Sequence, residues 1–399
     1  MRLVVVGQGP AGMLTADWAC RLGAEVTVVA AADGSLGLWS GAWDFRNFTD
    51  SGEVIRDPWQ WWELHGREHG VGWTREHWAH WWTRWRRTWE AAGIPLAGGE
   101  ELPSHNRFTP TAVGRMVPVF VCPAWQWAVD EPEPVIWVGM EGLADAPIEL
   151  AGARFRALTG MAASEVCLPK PDAWAPHWSS LAWAVYVESG EGRRWLSEAL
   201  TRALGGYAGS SPVLMPQVLG EDGCETLIGE LEAALERPVR EYPLLPPALG
   251  GIRIRDRWKR ALKRRGVSSI TGTVDAVLKD GVHLRASGAS LPADAVVLAT
   301  GGLLGGGLWL SAAGELLNTA TGQTVVWSGR MDELAVAGID TDGTGYRAVG
   351  RVVGGFDSDR HGDSGAVNLY TVASAIEALF GKQTAMEGWG TERGGNDGP

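Results

Sequence analysis

The 399-residue chain has only four cysteines, Cys20, Cys122, Cys167 and Cys224, and no two of them form a CxxC pair. That spacing indicates neither a zinc site nor an iron–sulfur cluster, so no metal is expected. Scattered thiols of this kind suit a reducing compartment, and a cytoplasmic protein is expected. Positive charge is also in deficit, with 35 Lys and Arg against 47 Asp and Glu and a net charge of −12. General nucleic-acid binders need a positive field, so that class is excluded. No apolar run approaches the roughly 20 residues that cross a bilayer, which leaves peripheral contact or contact through a partner. The first residues already read as a strand, so no signal peptide is expected.

What is abundant is glycine and tryptophan. Glycine, at 55 residues, is roughly twice its ordinary share. Its most informative placement is at the start, where Met1-Arg2-Leu3-Val4-Val5-Val6 runs into Gly7-Gln8-Gly9-Pro10-Ala11-Gly12. A strand entering GxGxxG and then a helix, Met13 to Leu22, is the phosphate-binding turn of a nucleotide cofactor. Gly7 permits the sharp turn, Gly9 the close approach of a pyrophosphate, and Gly12 the packing of the helix that aims its N–H groups at the phosphates. One part of that template is missing. The second strand, Glu25 to Val29, ends in Ala30-Ala31-Ala32, where a carboxylate usually takes the ribose hydroxyls. Asp33 comes three residues later, about 10 Å further along an extended chain.

Tryptophan, at 23 residues, is several times its usual share, and nine fall between Trp59 and Trp89. Trp78, Trp81, Trp82, Trp85 and Trp89 recur at intervals of three and four, which puts them on one helical face. A packing face with arginines reaching outward is expected, ahead of a substrate or quinone surface.

From Pro134 to Leu244, strand and helix signals alternate, implying a second parallel sheet. The final third holds a hairpin signal at Val274–Leu278 and Gly281–Arg285, then an apolar strand ending in Ala299-Thr300-Gly301-Gly302. A last glycine loop, Gly354-Gly355-Phe356-Asp357, precedes Gly362-Asp363-Ser364-Gly365-Ala366, which opens an apolar helix. The N-terminus of that helix is a second place for negative charge, such as a flavin pyrimidine carbonyl. The expected fold class is α/β, a Rossmann-like FAD/NAD(P)-binding domain with an inserted parallel α/β subdomain. Its expected bounds are 1–130 and 245–383 for the cofactor domain, 131–244 for the insert, and 384–399 for a disordered tail.

With these blocks placed, the chain resembles the B subunit of anaerobic, quinone-linked glycerol-3-phosphate dehydrogenase. Further blocks that carry the resemblance are Trp39-Ser40-Gly41-Ala42-Trp43-Asp44, His105-Asn106-Arg107-Phe108-Thr109-Pro110, Val138 to Asp145, and Leu245-Pro246-Pro247 with Gly251-Ile252-Arg253-Ile254. It departs from the family pattern where a glycine run would follow Asp357 and in a short stretch between Gly338 and Gly350. The resemblance implies a flavoprotein working with a large flavoprotein catalytic subunit and an iron–sulfur subunit, peripheral at the inner face of the cell membrane through them. It implies FMN, with FAD the alternative, and a small phosphorylated polyol as substrate. FMN would account for Ala30, since it has no adenosine ribose to hold, and NAD is not expected. Cofactor contacts are expected at Gly7, Gly9, Pro10, Ala11, Gly12, Ser40, Gly41, Thr300, Gly301, Gly355, Asp357, Gly365 and Ala366.

Oxidising a secondary alcohol needs a base, a hydride acceptor and cations for the phosphate. His105 is the expected base and Arg107 the orienting cation, with His361 a second candidate. The basic run from Arg253 to Arg265 reads as a solvated face or, more sharply, as supplying Arg253 or Arg255 for phosphate with its distal arginines facing a partner or anionic lipid. Two other readings stay open: an FAD-dependent oxidoreductase of a different small substrate, and a non-catalytic scaffold subunit.

Overall fold

The computed structural model describes residues 1–97, 103–172, 178–207, 209–303, 305–325, 338–339 and 345–387. The opening apolar run is strand β1 (Arg2–Val6) and leads into helix α1 (Pro10–Arg21), with proline in the first turn where its missing N–H costs nothing. Strand β2 (Glu25–Ala30) follows. The tryptophan-rich segment forms α2 (Pro58–His65) and α3 (Arg75–Ala91), separated at Gly70, whose φ of +73° ends the intervening turn. Strands β3 (Arg107–Pro110) and β4 (Met116–Val119) pair as a hairpin. Alternation then begins with β5 (Val135–Met140), α4 (Ile148–Thr159), β6 (Ala163–Leu168), α5 (Ser180–Glu188), α6 (Gly190–Leu204) and β7 (Val213–Pro216). It continues through α7 (Cys224–Leu235), β8 (Val239–Tyr242) and α8 (Leu249–Arg264). Last come β9 (Ser268–Thr271), β10 (Val274–Leu278), β11 (Gly281–Leu284), β12 (Ala289–Pro292) and β13 (Ala295–Leu298). Short strands β14 (Leu308–Leu310), β15 (Leu316–Asn318), β16 (Thr324–Val325) and β17 (Arg347–Ala348) precede α9 (Ser358–His361), α10 (Ser364–Phe380) and α11 (Lys382–Glu387).

The chain divides into two compact units. The first takes in Met1–Ser35, Gln60–Ala92 and the chain from Trp258 on. Its sheet has the order β17-β13-β1-β2-β9, all parallel. Numbered by sequence within this sheet, that is 3-2-1-4-5, the doubly wound order whose ligand crevice opens at the carboxyl ends of the first and fourth strands. Here those strands are β1 and β13.

The tryptophans are core. Trp78, Trp81, Trp82, Trp85 and Trp89 are at most 2% exposed. Trp18 of α1 stacks on Trp81 at 4.8 Å, Trp82 stacks on Trp85 at 4.5 Å, and Trp89 meets Trp258 of α8 at 5.8 Å. The arginines do not all reach outward. Arg84 is buried and donates to the carbonyls of Ala385 and Met386. Those bonds fix α11, so the disordered tail expected from residue 384 is replaced by helix through Glu387; 388–399 lie outside the described residues.

The second unit takes in Leu36–Trp59 and Gly93–Arg257. Its parallel sheet has the order β6-β5-β7-β8, with every residue of β5 and β7 buried, as expected of strands covered on both faces. This unit is larger than the insert expected at 131–244. Trp127 N–H donates to the Glu241 carbonyl at 3.0 Å, and Glu241 N–H to the Trp125 carbonyl at 2.8 Å, tying the segment before β5 to β8. Trp43 N–H likewise donates to the Val121 carbonyl at 2.7 Å.

His80 on α3 tests the first unit's packing. Burial, then the charges of Arg84 and His77, pushes its pKa from 6.5 down to about 4. The folded state therefore binds fewer protons than the unfolded state between those values, and stability falls as pH drops from 6.5 toward 4. Urea midpoints measured at pH 7 and pH 5 should fall further for the wild type than for His80→Phe; parallel losses would remove His80 as the cause.

Candidate functional site

Three loops of the first unit meet at the carboxyl ends of β1, β13 and β17. Gly7, at φ +111°, faces Ala299 so closely that a Cβ would lie 2.2 Å from its carbonyl oxygen. A Cβ on Gly12 would lie 2.1 Å from the Gly7 carbonyl oxygen. A Cβ on Gly350, at φ +71°, would lie 2.8 Å from both the Ala11 methyl and Asn368 Oδ1. The β1 turn, the end of β13, the segment after β17 and the first turns of α10 are thus in contact. Gly9 caps α1 without a side chain, and Gly34 lies close, a built Cβ being 3.2 Å from Gly9 N. What results is a helix N-terminus bounded by glycines that let the neighbouring backbones approach closely. Such a terminus takes a phosphate through N–H groups and the helix dipole. The buried Thr300 hydroxyl has no hydrogen-bond partner among the described residues and lies against Gly307, where a built Cβ would be 2.5 Å from it. The residues present therefore fit a nucleotide phosphate.

The adenosine side differs from the usual dinucleotide site. Asp33 Oδ1 receives Lys259 Nζ at 2.5 Å and Gln8 Nε2 at 3.2 Å, while the same Gln8 Nε2 donates to the Ala32 carbonyl at 2.8 Å. The carboxylate that follows the second strand is already engaged.

Other expected cofactor residues fall in two places. Pro10, Ala11, Thr300, Gly301, Gly365 and Ala366 lie with the cradle's elements in the first unit. Gly355, at φ +91°, stands open, and Asp357 caps α9, its Oδ1 accepting Arg360 N–H at 3.2 Å. His361 ends that helix and is buried. Ser40 and Gly41 lie in the second unit, where a Cβ on Gly41 would come 2.9 Å from Ile254 and 3.3 Å from Pro123.

The expected acid–base residues are also in the second unit. His105 Nε2 lies 3.0 Å from Asp130 Oδ1 and its Nδ1 2.8 Å from Ser104 Oγ. Arg107 Nε lies 3.4 Å from the same Asp130 oxygen, and its Nη2 donates to the Ala128 carbonyl. The two are joined by Asp130, which sequence reasoning missed because it lies 25 residues from His105. With Nε2 on the Asp130 carboxylate, Nδ1 is the nitrogen left to accept a proton, and the Ser104 hydroxyl stands on it.

Arg253 is placed differently from expectation. Its guanidinium and the Glu241 carboxylate are both fully buried and paired, Nη2 to Oε1 at 3.0 Å, while Nε donates to the Gly220 carbonyl at 2.7 Å. Burial works to lower the Arg253 pKa, and the Glu241 charge more than reverses it. A phosphate could reach this group only by opening the pair. Arg255, the other residue considered, is paired with Asp256 at 2.6 Å.

No protein-family model matches the chain. Among curated proteins it is similar to the probable B subunit of anaerobic glycerol-3-phosphate dehydrogenase from Halobacterium salinarum, at 30% identity over 333 positions, 77% of this chain and 75% of that one. It is similar also to the B subunit of anaerobic glycerol-3-phosphate dehydrogenase from Aliivibrio fischeri, at 23% identity, 67% of this chain and 62% of that one. Among solved structures, 3-ketosteroid delta1-dehydrogenase from Sterolibacterium denitrificans aligns with 18% identity and a TM-score of 0.31, over 75% of this chain and 47% of that one. Iminodiacetate oxidase from Chelativorans sp. BNC1 aligns with 15% identity and a TM-score of 0.26, over 77% of this chain and 58% of that one.

Two stability measurements probe this geometry. Gly7→Ala should cost about 1–3 kcal/mol or more. Gly23→Ala, at φ +84° with nothing within 4 Å of a built Cβ, should cost less, and equal losses in urea would show that the Ala299 approach is not decisive. Glu241→Gln leaves Arg253 buried without its counter-charge and should cost about 3–5 kcal/mol. Arg253→Met combined with Glu241→Leu should recover much of that, and a double variant as unstable as the single one would argue against a charge penalty.

Proposed function

Because the chain belongs to the family of B subunits of anaerobic glycerol-3-phosphate dehydrogenase, we propose that it is a flavin-binding subunit that oxidises sn-glycerol 3-phosphate to dihydroxyacetone phosphate. Electrons would pass to quinone through a large flavoprotein subunit and an iron–sulfur subunit, which would also hold the chain at the membrane. No helix among the described residues is long and apolar enough to cross one. The observation that carries the reading is the glycine-bounded cradle at the crevice of a 3-2-1-4-5 parallel sheet.

FMN is favoured over FAD by the adenosine side. Ala30 offers no carboxylate, and Asp33 is held by Lys259 and Gln8 rather than presented to a ribose diol. The N–H groups at the start of α1 and the turn Gly7–Gly12 would hold the phosphate, and the start of α10 would face the flavin's pyrimidine edge. The bound flavin supplies a hydride acceptor for a secondary alcohol.

The remaining work falls to side chains. His105, oriented by Asp130, accepts the hydroxyl proton as the alcohol carbon is oxidised. Arg107, on the same carboxylate, orients the substrate's anionic group.

Purified chain should carry or take up FMN with its yellow absorbance. In the presence of the partner subunit and without oxygen, glycerol 3-phosphate should bleach it. A chain that gains no chromophore with FMN or FAD is a scaffold, and a chromophore that other substrates bleach instead reassigns the reaction. His105→Gln should keep full flavin content and lose substrate reduction; unchanged turnover would remove His105 as the base.

A further inference from the structure

The second unit holds a cavity of about 400 Å³ that Arg107, of the His105–Asp130–Arg107 cluster, lines, while His105 and Asp130 stand outside its lining. Arg107 and Arg240 both line it, with Glu133, Ser210, Trp127 and Leu96 among the other walls. The volume lies in the range of small-molecule sites. Glu133, Ser210 and Arg240 belong to or precede strands β5, β7 and β8 at their amino ends. Among the described residues the lining includes no helix N-terminus, and its cationic groups are the guanidiniums of Arg107 and Arg240.

Both arginines are suited to it. Their side chains keep 27% and 34% of their surface, so neither is sealed like Arg253. Among the described residues, Arg240 spends only Nη1, on Glu232 and on its neighbouring Val239 carbonyl, and Arg107 spends Nη2 on Ala128 and Nε on Asp130. Each guanidinium has five N–H donors, so an edge of each stays unspent in these bonds. Both charges also act on the same buried thiol: burial pushes Cys122 up to about 12 while Arg107 and Arg240 pull it the other way. Two cations with part-neutralising carboxylates make a short-range anion clamp rather than a broad field. Glu133 and Ser210 add acceptors that a bare anion would not use but hydroxyl groups would.

We infer that this cavity holds the phosphorylated polyol, with Arg107 and Arg240 clamping the phosphate and Glu133 and Ser210 meeting the hydroxyls. This rests on the proposed function for the ligand's identity, and it adds Arg240, which the sequence did not single out. Calorimetric titration of the full chain tests it with three ligands. Glycerol 3-phosphate should bind tightest, inorganic phosphate about tenfold or more weaker, and glycerol without detectable heat. Arg240→Ala should weaken glycerol 3-phosphate about tenfold or more, and Arg240→Lys less, since a point charge keeps part of the attraction. Independently of any variant, glycerol 3-phosphate should slow phenylglyoxal modification of Arg107 and Arg240, mapped by peptide mass spectrometry. Binding untouched by Arg240→Ala, or no protection of either arginine, overturns the inference. So does absence of binding in chain that carries its flavin. A chain without flavin that still binds through Arg240 supports this site while removing the flavin reading.

Discussion

The first unit depends on one close approach. The turn at Gly7 meets the Ala299 carbonyl across the seam between β1 and β13 with no space for a side chain, and Gly12 meets the Gly7 carbonyl in the same way. Only with both contacts made can α1 begin where it does, its unpaired N–H groups at the mouth of the crevice. The next strand outward, β17, then delivers Gly350 against Ala11 and Asn368, which brings α10 to the same edge. A cradle assembled from backbone in this way has its charge complementarity built into the fold. Side chains elsewhere in the unit serve mainly to hold that backbone, and the stacked tryptophans between α1, α3 and α8 do so by filling volume with few rotatable bonds.

The second unit is organised around charge as well as volume. Glu241 sits at 0% exposure and answers to Arg253, to the Leu219 N–H at 2.7 Å and, through its backbone, to Trp125 and Trp127. Removing two such charges from water is expensive, and their value lies in what each would cost alone. Few other arrangements of the loop after β7 would satisfy both groups. The pair therefore fixes the path from Val218 to Gly220 and the start of α8, which explains why an arginine in a basic run is sealed and not presented.

How much of this was legible in the sequence follows from the range of each interaction. The GxGxxG turn, the strands around it, the βα alternation and the tryptophan stripe are set by neighbours within a few residues, and the structure has them where periodicity placed them. The joining of His105 to Arg107 was visible only as two residues in one block; the carboxylate that unites them is Asp130. Arg253 looked like a phosphate ligand because its partner Glu241 is twelve residues earlier on another element. In the sequence Asp33 reads only as lying too far along to anchor a ribose, because Lys259, which engages it, is 226 residues on. The unit boundary was misplaced for the same reason, since hydrogen bonds from Trp125 and Trp127 to β8 bind the preceding segment to the second sheet.

The same pairings decide how an acidic chain can recognise an anion at all. With a net charge of −12, the far field repels phosphate, and local cations cannot reverse it when each comes with a carboxylate: Lys259 with Asp33, Arg257 with Glu225, Arg240 with Glu232, Arg107 with Asp130. On the function and the ligand site proposed above, attraction is confined to contact distance, through helix N–H groups in one unit and unspent guanidinium edges in the other. Recognition of that kind has little electrostatic steering to lose, so salt should affect it far less than it affects a protein that gathers its ligand by a positive field. It is also stringent in direction. A phosphate out of line with the N–H groups or the guanidinium edges has no long-range attraction to compensate, and the acidity of the chain becomes a filter that only a correctly placed ligand passes.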